Sequence, residues 1–103
     1  MKRKNESPLS KNIRESIEKD PEYAQAFFER ISDEPLPVQI TLLRRIYGIS
    51  QEEMASRLHV KQSLISRLEK KDSDHLISTY QKLAKMLHSK ILIVPENFKV
   101  VPA

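Results

Sequence analysis

The chain has 103 residues, 18 Lys+Arg against 14 Asp+Glu, no Cys, no Trp and one Gly, which suits one small domain with a tail. Zero cysteines exclude a disulfide framework and a thiolate zinc site, three scattered His give no metal-ligand spacing, and no cofactor is implied. Residues 1–35 carry net charge −1 and residues 36–103 carry +5, with seven basic and three acidic residues in the stretch 44–71, a balance that suits a polyanion.

The single glycine argues against glycine-dependent phosphate loops and turn-rich β folds, so the chain is expected to be mostly helical. No apolar run approaches the roughly 18 residues of a membrane span. The basic start Met1–Ser10 has no apolar stretch behind it and does not read as a secretory signal, so a cytoplasmic location is expected.

Residues 1–8 are polar, end in Ser-Pro and read as disordered. Ser10 is positioned to cap a short helix carrying Ile13 and Ile17 one turn apart. Asp20-Pro21 is a helix start, an acceptor side chain followed by a residue that lacks an N–H. Tyr23, Phe27 and Ile31 follow at spacing four with Phe28 beside them, predicting a helix over 21–32. Pro35-Leu36-Pro37 marks a joint.

Ile40, Leu43 and Tyr47 then give a second amphipathic helix, ended by Gly48. Ser50 caps the next segment, Gln51–Leu58, with Glu53 completing a Ser-x-x-Glu box. Met54, Ala55 and Leu58 form its inward face. Only His59-Val60 separates it from Lys61–Glu69, whose inward residues are Ile65 and Leu68, with Val60 and Ile65 filling the wedge between the two helices. Leu76, Tyr80, Leu83, Ala84 and Leu87 mark a last helix ending near His88. Lys90–Val94 has strand character, Pro95–Asn97 is a turn signal, and Phe98–Val101 is a candidate second strand.

Two short helices joined by a very tight turn form a helix-turn-helix. Residues 43–69 resemble the Xre/Cro-repressor family almost position for position: Leu43-Arg44, Gly48-Ile49-Ser50-Gln51, Met54-Ala55, Leu58, Val60, Ile65-Ser66 and Glu69. The resemblance implies an all-α, lambda-repressor-like bundle whose second motif helix enters the major groove of double-stranded operator DNA. The outward residues Lys61, Gln62, Ser63, Ser66 and Arg67 are then the candidate base contacts. Gln62 offers the donor–acceptor pair that adenine requires, and Arg67 or Lys61 the donors for guanine. By resemblance Gln51 contacts backbone phosphate, with Arg44, Lys70 and Lys71 as further phosphate candidates. Glu69 is expected to brace the motif by pairing with a basic neighbour.

Two positions depart from the family pattern. His59 stands where glycine often opens the turn, so backbone strain is expected there. Lys61 stands where Ser or Thr often caps the second helix.

The flanks, Asp20–Glu29 and Ser78–Leu87 followed by Lys90–Val94, resemble antitoxins of the HigA kind, with the HipB kind a close second. This implies a homodimer, with Ile91, Leu92, Ile93 and Val94 forming a dimer strand. A self-hairpin through Pro95–Asn97 is the alternative way to cover that strand's edge. It also implies a cognate toxin, either a RelE-like ribonuclease or a HipA-like kinase. The apolar face Tyr23, Phe27, Phe28 and Ile31 either holds that toxin or docks on the chain itself.

The expected organisation is an N-terminal helical extension (1–34), a helix-turn-helix domain (35–89) and a short C-terminal β-strand with its tail (90–103). A phage-type or general regulator without a toxin is the alternative function. An enzyme is not expected, since no nucleophile–base pair, carboxylate pair or metal set supports one.

Overall fold

Four helix starts in this chain are written by proline or by a short acceptor side chain. The computed structural model describes residues 7–97, and its regular elements there are α1 (Pro8–Lys19), α2 (Pro21–Ile31), α3 (Leu36–Ile46), α4 (Gln51–Leu58), α5 (Gln62–Leu68) and α6 (Ile77–Met86). Ser7, rather than Ser10, caps α1: its Oγ accepts from the Ser10 N–H at 3.1 Å and Pro8 occupies the first helical position. The Ser-Pro pair expected to end a disordered stretch is thus itself a start signal.

Asp20 alone joins α1 to α2. Its N–H donates to the Ser16 carbonyl at 2.9 Å, and its Oδ1 accepts from the N–H groups of Glu22 and Tyr23 at 3.0 and 3.2 Å. Pro21 follows at a position where no donor is needed.

Three helices end in the same way. Gly48, His59 and His88 all adopt the left-handed conformation, at φ 69°, 57° and 54°. At each, two amide N–H groups reach back to carbonyls of the last turn, as Gly48 and Ile49 do to Arg45 and Arg44 at 3.0 and 3.1 Å. His59 and Val60 repeat the pattern onto Ser56 and Ala55, and His88 and Ser89 onto Lys85 and Ala84. This double bond closes orphan carbonyls at the helix end, and glycine enters it without steric cost whereas histidine does not.

The core lies within α3–α6. Ile40, Met54, Ala55, Ile65, Leu68, Tyr80, Leu83, Ala84 and Leu87 are buried together. A fully buried side chain of the Ile, Leu or Met size contributes about 1.5–3 kcal/mol. Tyr80 is 2% exposed, and its hydroxyl donates to the Leu68 carbonyl at 2.9 Å while lying 2.8 Å from Ser73 Oγ, which pins the end of α5 to α6. The extension is a second layer: α1 packs on α2 and α3, and neither α1 nor α2 has a fully buried residue.

Two inward assignments are corrected. Val60 is 37% exposed, so Ile65 fills the wedge without it. Leu76 is 76% exposed because it precedes α6 rather than lying on its inner stripe.

The C-terminal β-strand is also not found: residues 90–95 carry no helix or strand. A strand needs a neighbour to exchange N–H and C=O bonds with, and none is present among the described residues. Ile91 turns onto the core, while Leu92 and Ile93 stand exposed. The candidate partner strand Phe98–Val101 lies outside the described residues.

Replacing His59 by glycine should relieve the left-handed penalty and stabilise the domain by about 1 kcal/mol, raising Tm by several degrees. His59→Ala, which keeps a Cβ, should not. Thermal unfolding followed by circular dichroism checks this; equal melting temperatures for wild type and His59→Gly would show that the turn is unstrained.

Candidate nucleic-acid interface

The site begins at the N-terminus of α4. Ser50 Oγ accepts from the Glu53 N–H at 3.0 Å, giving half of the expected capping box. The other half is missing because the Glu53 carboxylate pairs with Arg57 one turn on. The left-handed His59 then turns the chain sharply into α5. Lys61 sits at the N-cap with no side-chain cap bond, so its ammonium is not committed to the backbone.

Ile65 and Leu68 anchor α5 from below. Their burial turns the opposite face outward, and Lys61, Gln62, Ser63, Ser66 and Arg67 are all exposed. No acidic residue occurs from Lys61 to Leu68. Lys70 and Lys71 are exposed just beyond the C-terminal end of α5. They stand beyond the opposite end of α5 from Lys61, and the helix between is about 10 Å long.

Arg44 is a correction. The phosphate candidate Arg44 is 6% exposed, and three of its five N–H donors are held within the protein. Its Nε donates to Glu69 Oε2 at 2.6 Å and its Nη2 to Glu69 Oε1 at 2.9 Å. Its Nη1 donates to the Ile49 carbonyl at 2.7 Å. A guanidinium buried and held in this way serves the packing of the motif and is not displayed on the surface where a phosphate would approach. Glu69 braces the motif as expected, and its basic partner is this arginine.

Gln51 is half-buried beside the pair. Its Nε2 donates to Glu69 Oε1 at 2.9 Å, and Gln62 Nε2 lies 3.5 Å from its Oε1. Arg45, which the sequence reading left out, is exposed and lines a groove of about 710 Å³ together with Gln51, Gln62, Ser7 and Ser10. The signal was available in the helical phase. Arg44 falls four residues after Ile40, on the inner stripe of α3, whereas Arg45 falls off it.

The same groove reaches inward to Ile13, Phe27, Leu42 and Ile46. Phe27 therefore faces α3, stacked with Tyr23 at 6.4 Å and edge-on to Phe28 at 5.4 Å. Tyr23 and Phe28 are exposed, while Phe27 and Ile31 are half-buried, so the four candidate toxin contacts do not form one open face. Among the described residues, no helix is long and apolar enough to cross a membrane.

A helix-turn-helix family profile matches residues 40–92, which cover most of α3, then α4, the turn, α5 and α6. The chain belongs to the helix-turn-helix family. It is 32% identical over 88 residues to the antitoxin HigA1 of Mycobacterium tuberculosis, in both strain CDC 1551 / Oshkosh and strain ATCC 25618 / H37Rv. The match covers 85% of this chain and 59% of each relative, so the chain spans well under two thirds of their length. No solved structure matches the chain significantly.

The ion pair of this helix-turn-helix makes a sharp stability test. Glu69→Ala strands a buried guanidinium and should cost about 3–5 kcal/mol in urea unfolding. The double replacement Arg44→Met with Glu69→Leu removes both charges and should recover most of that loss. A single-variant loss under 1 kcal/mol would contradict the burial of the pair.

Proposed function

We propose that the chain is a sequence-specific DNA-binding repressor that also serves as the antitoxin of a type II toxin–antitoxin module, acting in the cytoplasm and without enzymatic activity. The observation that carries the DNA half is the outer face of α5. Its amides, hydroxyls and cations, free of carboxylate, rise on a helix held rigid from beneath. Gln62 matches the donor and acceptor on the major-groove edge of adenine, and Arg67 or Lys61 the two acceptors of guanine. Gln51, Arg45, Lys70 and Lys71 flank this face and are assigned to phosphates, which set register and carry the salt dependence.

The antitoxin half is supported by the relatives named HigA1. The HigA resemblance favours a toxin of the RelE-like ribonuclease kind over a HipA-like kinase. Tyr23 and Phe28, the exposed aromatics of α2, are the contacts proposed for it.

A second copy of the chain completes the operator complex. Leu92, Ile93 and Val94 are exposed beyond α6 and supply apolar surface for that copy. A two-fold dimer would set two α5 helices about 34 Å apart on successive major grooves.

Gln62→Ala and Arg67→Ala should each weaken binding to the promoter of the chain's own operon by about tenfold or more, while binding to random DNA changes little. Fluorescence anisotropy on both DNAs checks this; equal losses would reduce the two residues to phosphate contacts. Affinity should also fall steeply between 50 and 200 mM salt.

Tyr23→Ala with Phe28→Ala should abolish co-purification with the adjacent gene product and leave operator affinity unchanged. Retention of that product by the double variant would place the toxin contact elsewhere.

A further inference from the structure

We infer that the groove between the extension and the motif is an effector site for an amphipathic monoanion, and that an occupant there displaces operator DNA. The displacement half rests on the proposed DNA reading; the binding half does not.

The groove exists because the seam is incompletely packed. Neither α1 nor α2 contributes a fully buried residue, and about 710 Å³ is left where they meet the rest of the chain. A volume of this size holds a small-molecule ligand. Its inner lining is apolar: Ile13 from α1, Phe27 from α2, and Leu42 and Ile46 from α3. Its outer lining is polar, with Ser10, Arg45, Gln51 and Gln62. An apolar body with one polar head matches both parts.

The charges select the sign of that head. Arg44 lines the groove, but its charge is cancelled by Glu69. Arg45 is exposed and holds no carboxylate among the described residues. The serines add a donor. Ser7 Oγ accepts from the Ser10 N–H and spends its own hydrogen on Ser10 Oγ at 3.0 Å. Ser10 Oγ accepts in that bond, so its own hydrogen remains to be donated. A guanidinium and a hydroxyl donor together suit a carboxylate. Glu52 also lines the groove and opposes a second negative charge, which favours a monocarboxylate over a phosphate monoester.

Regulation follows from shared groups. Arg45 and Gln51 are assigned to operator phosphates and Gln62 to a base. A carboxylate seated on Arg45 occupies the place of a phosphate. Ligand and DNA then oppose each other, each weakening the other by the same factor.

The test is calorimetric titration of the full-length protein with hexanoate, octanoate and decanoate, with 1-octanol as the uncharged probe. Affinity should rise about tenfold for each two added carbons, as the chain covers the apolar lining. Octanol should bind about tenfold more weakly than octanoate, and Arg45→Gln should erase that difference. Leu42→Trp narrows the groove from the α3 side and Ile13→Phe from the α1 side. Each should lower decanoate affinity by about tenfold or more. Melting curves show which of the two is folded; should neither fold, the exposed Arg45→Gln decides. Fluorescence anisotropy on the chain's own promoter then reads displacement. Saturating decanoate should weaken wild-type binding about tenfold relative to sodium chloride at equal ionic strength, and leave Leu42→Trp unaffected.

Equal affinity for octanol and octanoate, or undiminished decanoate binding in a folded groove variant, would overturn the site. Decanoate binding with promoter affinity unaltered would overturn the displacement. A wild-type protein that does not recognise its promoter would overturn the DNA reading, and the displacement with it, while the titrations would still decide the site.

Discussion

One buried ion pair sets the geometry of the motif. Arg44 comes from α3 and Glu69 from the end of α5, 25 positions apart. Their bidentate contact fastens the helix before the motif to the helix proposed to read DNA. The Ile49 carbonyl, in the link between α3 and α4, accepts the third guanidinium bond. A single side chain therefore ties three segments together. The desolvation of two charges offsets much of their attraction, so the pair is not a source of large net stability. Its value is directional. Two planar groups in side-on contact allow one relative placement of α3 and α5, where an apolar pair would tolerate several.

The turn between α4 and α5 depends on a second constraint. Ala55 of α4 and Ile65 of α5 are buried in one core, and the chain must reverse in three residues to permit it. A left-handed residue achieves that, and this chain supplies histidine rather than glycine. His88 does the same at the end of α6. Of the three left-handed helix ends, only Gly48 carries the residue that enters this conformation freely. Packing on both sides of His59 holds it there against the local preference.

Much of this was legible in the sequence. The α2 start at Asp20-Pro21, the Gly48 stop, the Ser50 cap and the inward set Met54, Ala55, Ile65 and Leu68 follow from local rules about donors, φ angles and period. The expectation that Glu69 pairs with a basic neighbour came instead from the family resemblance, and Arg44 is that neighbour. What misled was treating charge as a sign of exposure. Arg44 shares the inner stripe with Ile40, and Glu69 stands four residues after Ile65; period placed both inside while charge alone placed Arg44 outside. The C-terminal run Lys90–Val94 misled for a different reason. Strand propensity describes side chains that suit a pleated sheet, but the ladder itself needs a neighbour, and propensity says nothing of whether one is there.

The division between α1–α2 and α3–α6 follows from where burial is complete. Every fully buried hydrophobic side chain among the described residues lies in α3–α6 or at their ends, whereas Ile13, Ile17 and Phe27 are only half-buried against α3. Apolar area withdrawn from water is the main favourable term, so the extension is held by a small fraction of the total. Segments of this kind occupy the low end of the local stability range and open without unfolding the core. The ordering penalty of α1 and α2 is met by capping at Ser7 and Asp20 and by the Tyr23–Phe27–Phe28 cluster within α2. These interactions are internal to the two helices. The extension can thus remain helical while its contact with α3 loosens, and the scaffold beneath Gln51 and Gln62 keeps its shape.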